Sequence, residues 1–197
     1  MDQPNSSGGD AQAKRPVAIG SGMTSTKHEF RAEYVNPFIR SVSNLFRTLF
    51  KCNVERKEVV LKRRLPPNLD IVALAGLSGG VRGLVALAFP VRTALAMVSR
   101  AYDERIVVVD DKVLDAVAEC VNIVAGGAQS ELASAAGTPI VLSLPTVIRG
   151  NDFSLEYPAL RNWVEVPFTS ELGPFSIRIT IAANRSESDS NASIDCG

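Results

Sequence analysis

Residues 115–127, DAVAECVNIVAGG, combine an apolar helix with acid and amide side chains and then two glycines. At ~100° per residue, Leu114, Val117, Val121, Val124, Ala125, Ala128 and Leu132 fall on one side, which predicts a helix buried along that side. Asp115, Glu119, Asn122 and Gly126 follow at i+4, i+7 and i+11 and form a narrow stripe away from it. A glycine inside a helix costs roughly 1 kcal/mol relative to alanine. Gly126 therefore predicts a docking surface, where something large meets the backbone. Close packing of a neighbouring strand against Gly126-Gly127 is the competing explanation. Asp110 or Asp111 caps the helix at its start, and Gly137 closes it.

Outward from this helix the periodicities alternate. NPFIRSVSNLFRTLF (36–50) puts Phe38, Val42, Leu45, Phe46 and Leu49 on one helical face, with Pro37 in the first turn. VERKEVVLKRRL (54–65) and DIVALAGLSGGVRGLVALAF (70–89) predict strands, the latter a pair turning at Ser78-Gly79-Gly80. Pro90 opens a helix over VRTALAMVSRAY (91–102), and strands follow at PIVLSLPTVI (139–148), WVEVPF (163–168) and FSIRITIA (175–182). The expected fold is α/β in the α+β sense: long helices packed on a mostly antiparallel sheet. Residues 1–28 and 184–197 are polar and Gly/Ser-rich, which predicts disordered tails around one domain at 29–183.

Composition excludes several classes of function. Lys+Arg and Asp+Glu are both 21, so no global field favours nucleic acid or an anionic membrane. No apolar run reaches the ~18 residues of a membrane span. Cys52, Cys120 and Cys196 are scattered, as expected of reduced thiols in a cytoplasmic protein, and one histidine with these cysteines makes no metal cluster. GLSGG (76–80) matches the G-x-S-x-G nucleophile elbow, but it lies between two strands and the sole histidine, His28, lies in the tail. A hairpin turn is the better reading. ERKEVVLKRR suits an edge strand guarded by charge.

The two halves resemble one another. Asn122 is followed after 22 residues by Pro145, and Asn44 after 22 residues by Pro67. At that displacement of 78, Ser41 matches Glu119 and Thr48 matches Gly126, and both are expected on the outward stripe with Asn44. This predicts a duplicated helix-plus-sheet unit with a pseudo-twofold axis, whose first copy kept the asparagine and lost the acid.

From Asp115 to Pro145 the chain reads D-x(3)-E-x(2)-N-x(22)-P, which resembles the signature of the CheC/CheX/FliY chemotaxis phosphatases. PTVIRG after it and GLSGGVRGLVALAFP before it are similar to CheX-type sequence, and the resemblance covers about residues 33–182. It implies a CheC-like fold and a cytoplasmic enzyme that removes phosphate from the aspartyl phosphate of a CheY-like receiver domain. Asn122 would insert beside the phosphoryl group and hold the attacking water, and Glu119 would pair with the receiver's active-site lysine. Asp115 would be a rim contact, Gly126 the point of close approach and Pro145 a support for the helix. Ser41, Asn44 and Pro67 would form a degenerate second site. No cofactor of its own is implied, since the receiver brings its divalent metal (Mg). The resemblance also implies a homodimer joined through its sheets, for which FSIRITIA is the expected border strand. A catalytically silent receiver-binding scaffold and a flagellar-switch component are the alternative functions.

Overall fold

The hairpin in the middle of the sheet depends on a turn that only glycine accommodates well. β3 (Ile71–Gly79) and β4 (Val81–Phe89) pair antiparallel from Ile71↔Phe89 to Leu77↔Gly83. Between them Gly79 has φ +95°, and a Cβ there would stand 2.3 Å from the Pro139 carbonyl oxygen. GLSGG is thus a strand end and turn, with Ser78 exposed on β3. The computed structural model describes residues 32–63, 70–150, 153, 160 and 162–184. Residues 1–31 and 185–197, and with them His28, Cys196 and nearly all of both expected tails, lie outside these, as does Pro67. Asn184, expected in the tail, instead donates its backbone N–H to Gly80 and its side-chain amide to Gly79.

The chain runs α1 (Ala32–Leu49), β1 (Val54–Arg56), β2 (Val60–Lys62), β3, β4, α2 (Val91–Tyr102), α3 (Asp111–Ala136), β5 (Ile140–Leu142), β6 (Thr146–Arg149), β7 (Trp163–Ser170) and β8 (Gly173–Ala183). The eight strands among the described residues form one sheet in the order β1-β7-β8-β4-β3-β5, with β2 also on β7 and β6 also on β3. Every pairing among the described residues is antiparallel. FSIRITIA is therefore not a border strand. β8 lies in the interior of the sheet, between β4 and β7. Its alternation misleads because both faces are buried: Phe175, Ile177 and Ile179 towards the core, and Ser176, Arg178 and Thr180 on the other side. Arg178 bonds the buried carboxylate of Glu165, which also accepts from Lys62. Burial alone would raise the pKa of Glu165, but these two cations more than offset it and hold the carboxyl low.

The halves follow one order: helix, two short strands, then a long hairpin. Each of the expected strands 54–65 and 139–148 is split by a one-residue bulge. Residues 57–59 stand opposite 166–167 between the β1 and β2 pairings, and residues 143–145 opposite 75–76 between those of β5 and β6. Pro145 thus occupies the place that Val59 holds in the first half, whereas Pro67 comes after β2 in the chain. The proline match at a displacement of 78 has no counterpart in strand register.

Hydrophobic stripes seat the helices. α1 begins four residues before the expected Asn36, so Pro37 falls in its second turn. There it removes one early N–H bond, a cost offset by the burial of Tyr34 and Val35 in the preceding turn. Phe46 stacks on Phe175 of β8 with ring centroids 4.4 Å apart. Leu49 is exposed, against expectation, because Phe50 takes the last core position of this segment. α3 is capped by Asp110, whose carboxylate accepts from the Val113 N–H at 3.1 Å, and it closes at Gly137 with φ 70°. No helix among the described residues is long and apolar enough to cross a membrane.

Candidate functional site

Both ends of α3 are tied to the same pair of short strands. Ahead of the helix, Arg149 at the end of β6 donates to the Val109 carbonyl at 3.1 Å, and in its second half Gln129 donates to the Ile140 carbonyl of β5 at 2.7 Å. Pro145 stands half-buried in the bulge between these strands. Between the two ties Val113, Val117, Val121, Val124 and Ala128 are fully buried, as is Leu132 just beyond them. The rotation of the helix is thereby set, and with it the direction of the opposite stripe. Leu114 is only half-buried, its expected place being shared by Val113 and Cys120.

Asp115, Glu119, Asn122 and Gly126 are all exposed. Asn122 donates from its side-chain NH2 to Glu119 Oε2 at 3.3 Å, the contact that i, i+3 spacing on a helix permits. Its carbonyl oxygen has no hydrogen bond among the described residues. The pair therefore presents a free amide acceptor and a free amide N–H beside an exposed carboxylate. Cys120, next to Glu119 in sequence, is no part of the chemistry. Burial, with a smaller contribution from Glu119, pushes its thiol up to about 12, so it is not a nucleophile.

The two glycines behave differently. A Cβ at Gly126 would meet nothing within 4 Å, whereas one at Gly127 would stand 2.3 Å from Ser41 Oγ. Gly127 is thus explained by close packing, against helix α1 and not the strand expected. Nothing among the described residues requires Gly126 to lack a side chain.

Ser41 was expected on the outward stripe and is buried, its hydroxyl donating to the Ile123 carbonyl across the interface between α1 and α3 at 3.4 Å. The burial pattern shows why the displacement of 78 fails. α1 begins at Ala32 and α3 at Asp111, 79 positions apart. At that displacement Tyr34, Phe38, Ser41, Val42, Leu45 and Phe46 fall on Val113, Val117, Cys120, Val121, Val124 and Ala125, all buried. The first-half counterpart of Glu119 is then Arg40, that of Asn122 is Ser43, and that of Gly126 is Arg47. Asn44 is exposed and accepts from Arg47 at 2.8 Å, and Thr48 is exposed beside it. Arg40 pairs with Glu131 of α3. The stripe on α1 carries a cation where α3 carries its acid. Among the described residues no group of three or more His, Cys, Asp or Glu could hold a metal ion.

Residues 71–169 match the family described as Chemotaxis phosphatase CheX. Among solved structures, the chain is similar to the chemotaxis protein CheX of Vibrio vulnificus, with 27% identity over 76% of this chain and 99% of that one, at a TM-score of 0.69. It is similar to CheX of Borrelia burgdorferi, solved in complex with CheY, BeF3 and Mg, with 25% identity over 77% of this chain and 99% of that one, at a TM-score of 0.66. FliY of Thermotoga maritima shares the fold at 19% identity over 77% of this chain and 86% of that one, at a TM-score of 0.58. No curated protein sequence matches the chain.

Proposed function

Because the chain belongs to the CheX family of chemotaxis phosphatases, we propose that it hydrolyses the aspartyl phosphate of a CheY-like receiver domain in the cytoplasm, using Glu119 and Asn122. The observation that carries this reading is the bond between the two exposed side chains. With one N–H of its amide engaged by Glu119, Asn122 keeps a carbonyl oxygen free to accept a hydrogen bond from water. A water so held turns a lone pair towards phosphorus.

An aspartyl phosphate is an activated acyl phosphate, so the enzyme's task is chiefly to place water in line with the P–O bond that breaks. The receiver contributes its divalent metal and its lysine, in keeping with the CheY and Mg of the Borrelia complex. Glu119 pairs with that lysine and orients the docked domain. Asp115, one turn towards the N-terminus, meets the receiver's rim, and Gly126, one turn further on, lets its surface reach bare backbone. Water attacks phosphorus directly, the aspartate oxygen leaves, and no covalent intermediate forms on this chain.

The same reading includes a homodimer, with the sheet joined at an edge. The β1/β2 edge carries Glu55, Arg56, Lys57 and Glu58, charges that discourage pairing. The β5/β6 edge has no charged residue from Gly137 to Ile148 and exposes Val141 and Leu144, which makes it the favoured junction.

The test is the decay of a panel of phosphorylated receivers with and without the protein. Accelerated decay that falls about 100-fold in Asn122→Ala, with the circular dichroism melt unchanged, is the expected result. Binding without acceleration would make the chain a silent scaffold. Full activity in Asn122→Ala would remove the residue from the mechanism.

A further inference from the structure

We infer that the groove between α1 and α3 beside Asn122 seats a neutral side chain of the docked receiver, and that Ile123 reads it. The inference rests on the receiver-phosphatase reading and extends it from chemistry to partner selection.

Ile123 is a large aliphatic residue left 39% exposed, directly after Asn122 on the helix. Its side chain lines a groove with Gly127 on α3 and with Asn44 and Thr48 on α1, and the Arg40–Glu131 pair borders the same groove. Ser41 packed against Gly127 keeps the helices close, so that bare α3 backbone helps line the groove. The groove measures about 240 Å³, below the ~300–1,000 Å³ usual for a small-molecule site. That size suits a protruding side chain.

Charge and position narrow the occupant. The two charged lining residues neutralise each other, so the groove offers no ionic partner. An occupant carrying charge would lose hydration without compensation. An apolar or small neutral side chain would bury Ile123 and leave the hydroxyl of Thr48, which already donates to the Asn44 carbonyl, undisturbed. Ile123 lies ~100° round the helix from Asn122, on the side that faces the groove, so a receiver domain that brings a phosphoryl group to Asn122 is wide enough to bring its rim over Ile123. The rim of the receiver next to its phosphorylated aspartate is therefore the occupant. Asn44 and Thr48 act as the second wall of the single site on α3.

The experiment measures affinity, separately from turnover. A panel of receivers activated by beryllofluoride and Mg²⁺ is titrated with the full chain, and the tightest binder is kept. Ile123→Asp and Thr48→Arg, one from each wall, should each raise its Kd about tenfold, equivalent to about 1.4 kcal/mol. Ile123→Val should stay within about twofold, and every variant should remain folded at the assay temperature, as thermal melts check. An unchanged Kd in both wall variants, with the wild type binding, overturns the groove and leaves the phosphatase reading intact. Groove-sensitive binding without accelerated phosphate loss supports the groove and overturns the phosphatase. No binding to any activated receiver overturns both.

Discussion

Helices α1 and α3 rest on one sheet with the same faces buried, yet they present opposite chemistry to solvent. On α3 the outward stripe reads Asp115, Glu119, Asn122 and Gly126; at the matching positions α1 reads Asn36, Arg40, Ser43 and Arg47. The difference separates what folding demands from what it leaves open. Packing constrains the inward residues, so Val42 and Val121 agree, while the outward ones are free to follow a partner. An acid, an amide and a side-chain-free position remain together on α3 alone.

The strongest test of this comparison places an acid on α1. Ser41→Glu should cost about 3–5 kcal/mol, because it buries an unpaired carboxylate between two helices. Arg40→Glu should cost about 1 kcal/mol, since that position is exposed and a surface ion pair with Glu131 gives way to a solvent-screened repulsion. Urea denaturation of the two variants measures both. Equal costs would mean that Ser41 is no more buried than Arg40, which would remove the basis for the displacement of 79.

The adjacent glycines give a smaller effect. Gly126→Ala should leave the isolated protein as stable as before, or more stable by up to about 1 kcal/mol through helix propensity, while weakening receiver binding. Gly127→Ala should be about 1–2 kcal/mol less stable than Gly126→Ala, since its methyl group meets Ser41. Adding Ser41→Gly to Gly127→Ala should recover much of that gap. A double-mutant cycle showing no coupling between 41 and 127 would contradict the packing described.

Smallest is Asn44→Ala, which should change the maximal rate of dephosphorylation by less than about twofold. A rate loss approaching that of Asn122→Ala would put a second catalytic amide on α1.

Much of this was legible in the sequence, for identifiable reasons. The α3 stripe could be read because the Val and Ala positions repeat at helical spacing, which leaves Asp115, Glu119, Asn122 and Gly126 on the other side. Gly79-Gly80 marked its turn plainly. β8 misled because alternation reports a difference between side chains, and Arg178 and Thr180 are as deeply buried as Ile177. Ser41 misled because a small hydroxyl is at home both in solvent and between helices, and only the partner, Gly127, decides. The shift from 78 to 79 was hidden by a chance asparagine at 44. Ile123 carried one signal, a β-branched apolar residue on the margin of a polar stripe, which does not separate a core contact from a partner contact.

The burial of Cys120 directly beside Glu119 in sequence has a further consequence. Peroxide and electrophiles act on thiolates, and with its thiol pushed up to about 12 by burial Cys120 stays protonated at neutral pH. Cys52 is likewise buried, and its thiol is pushed upwards by that burial. Oxidising conditions thus find little purchase on either residue, and α3 keeps its shape through redox changes that would alter a thiol-based phosphatase.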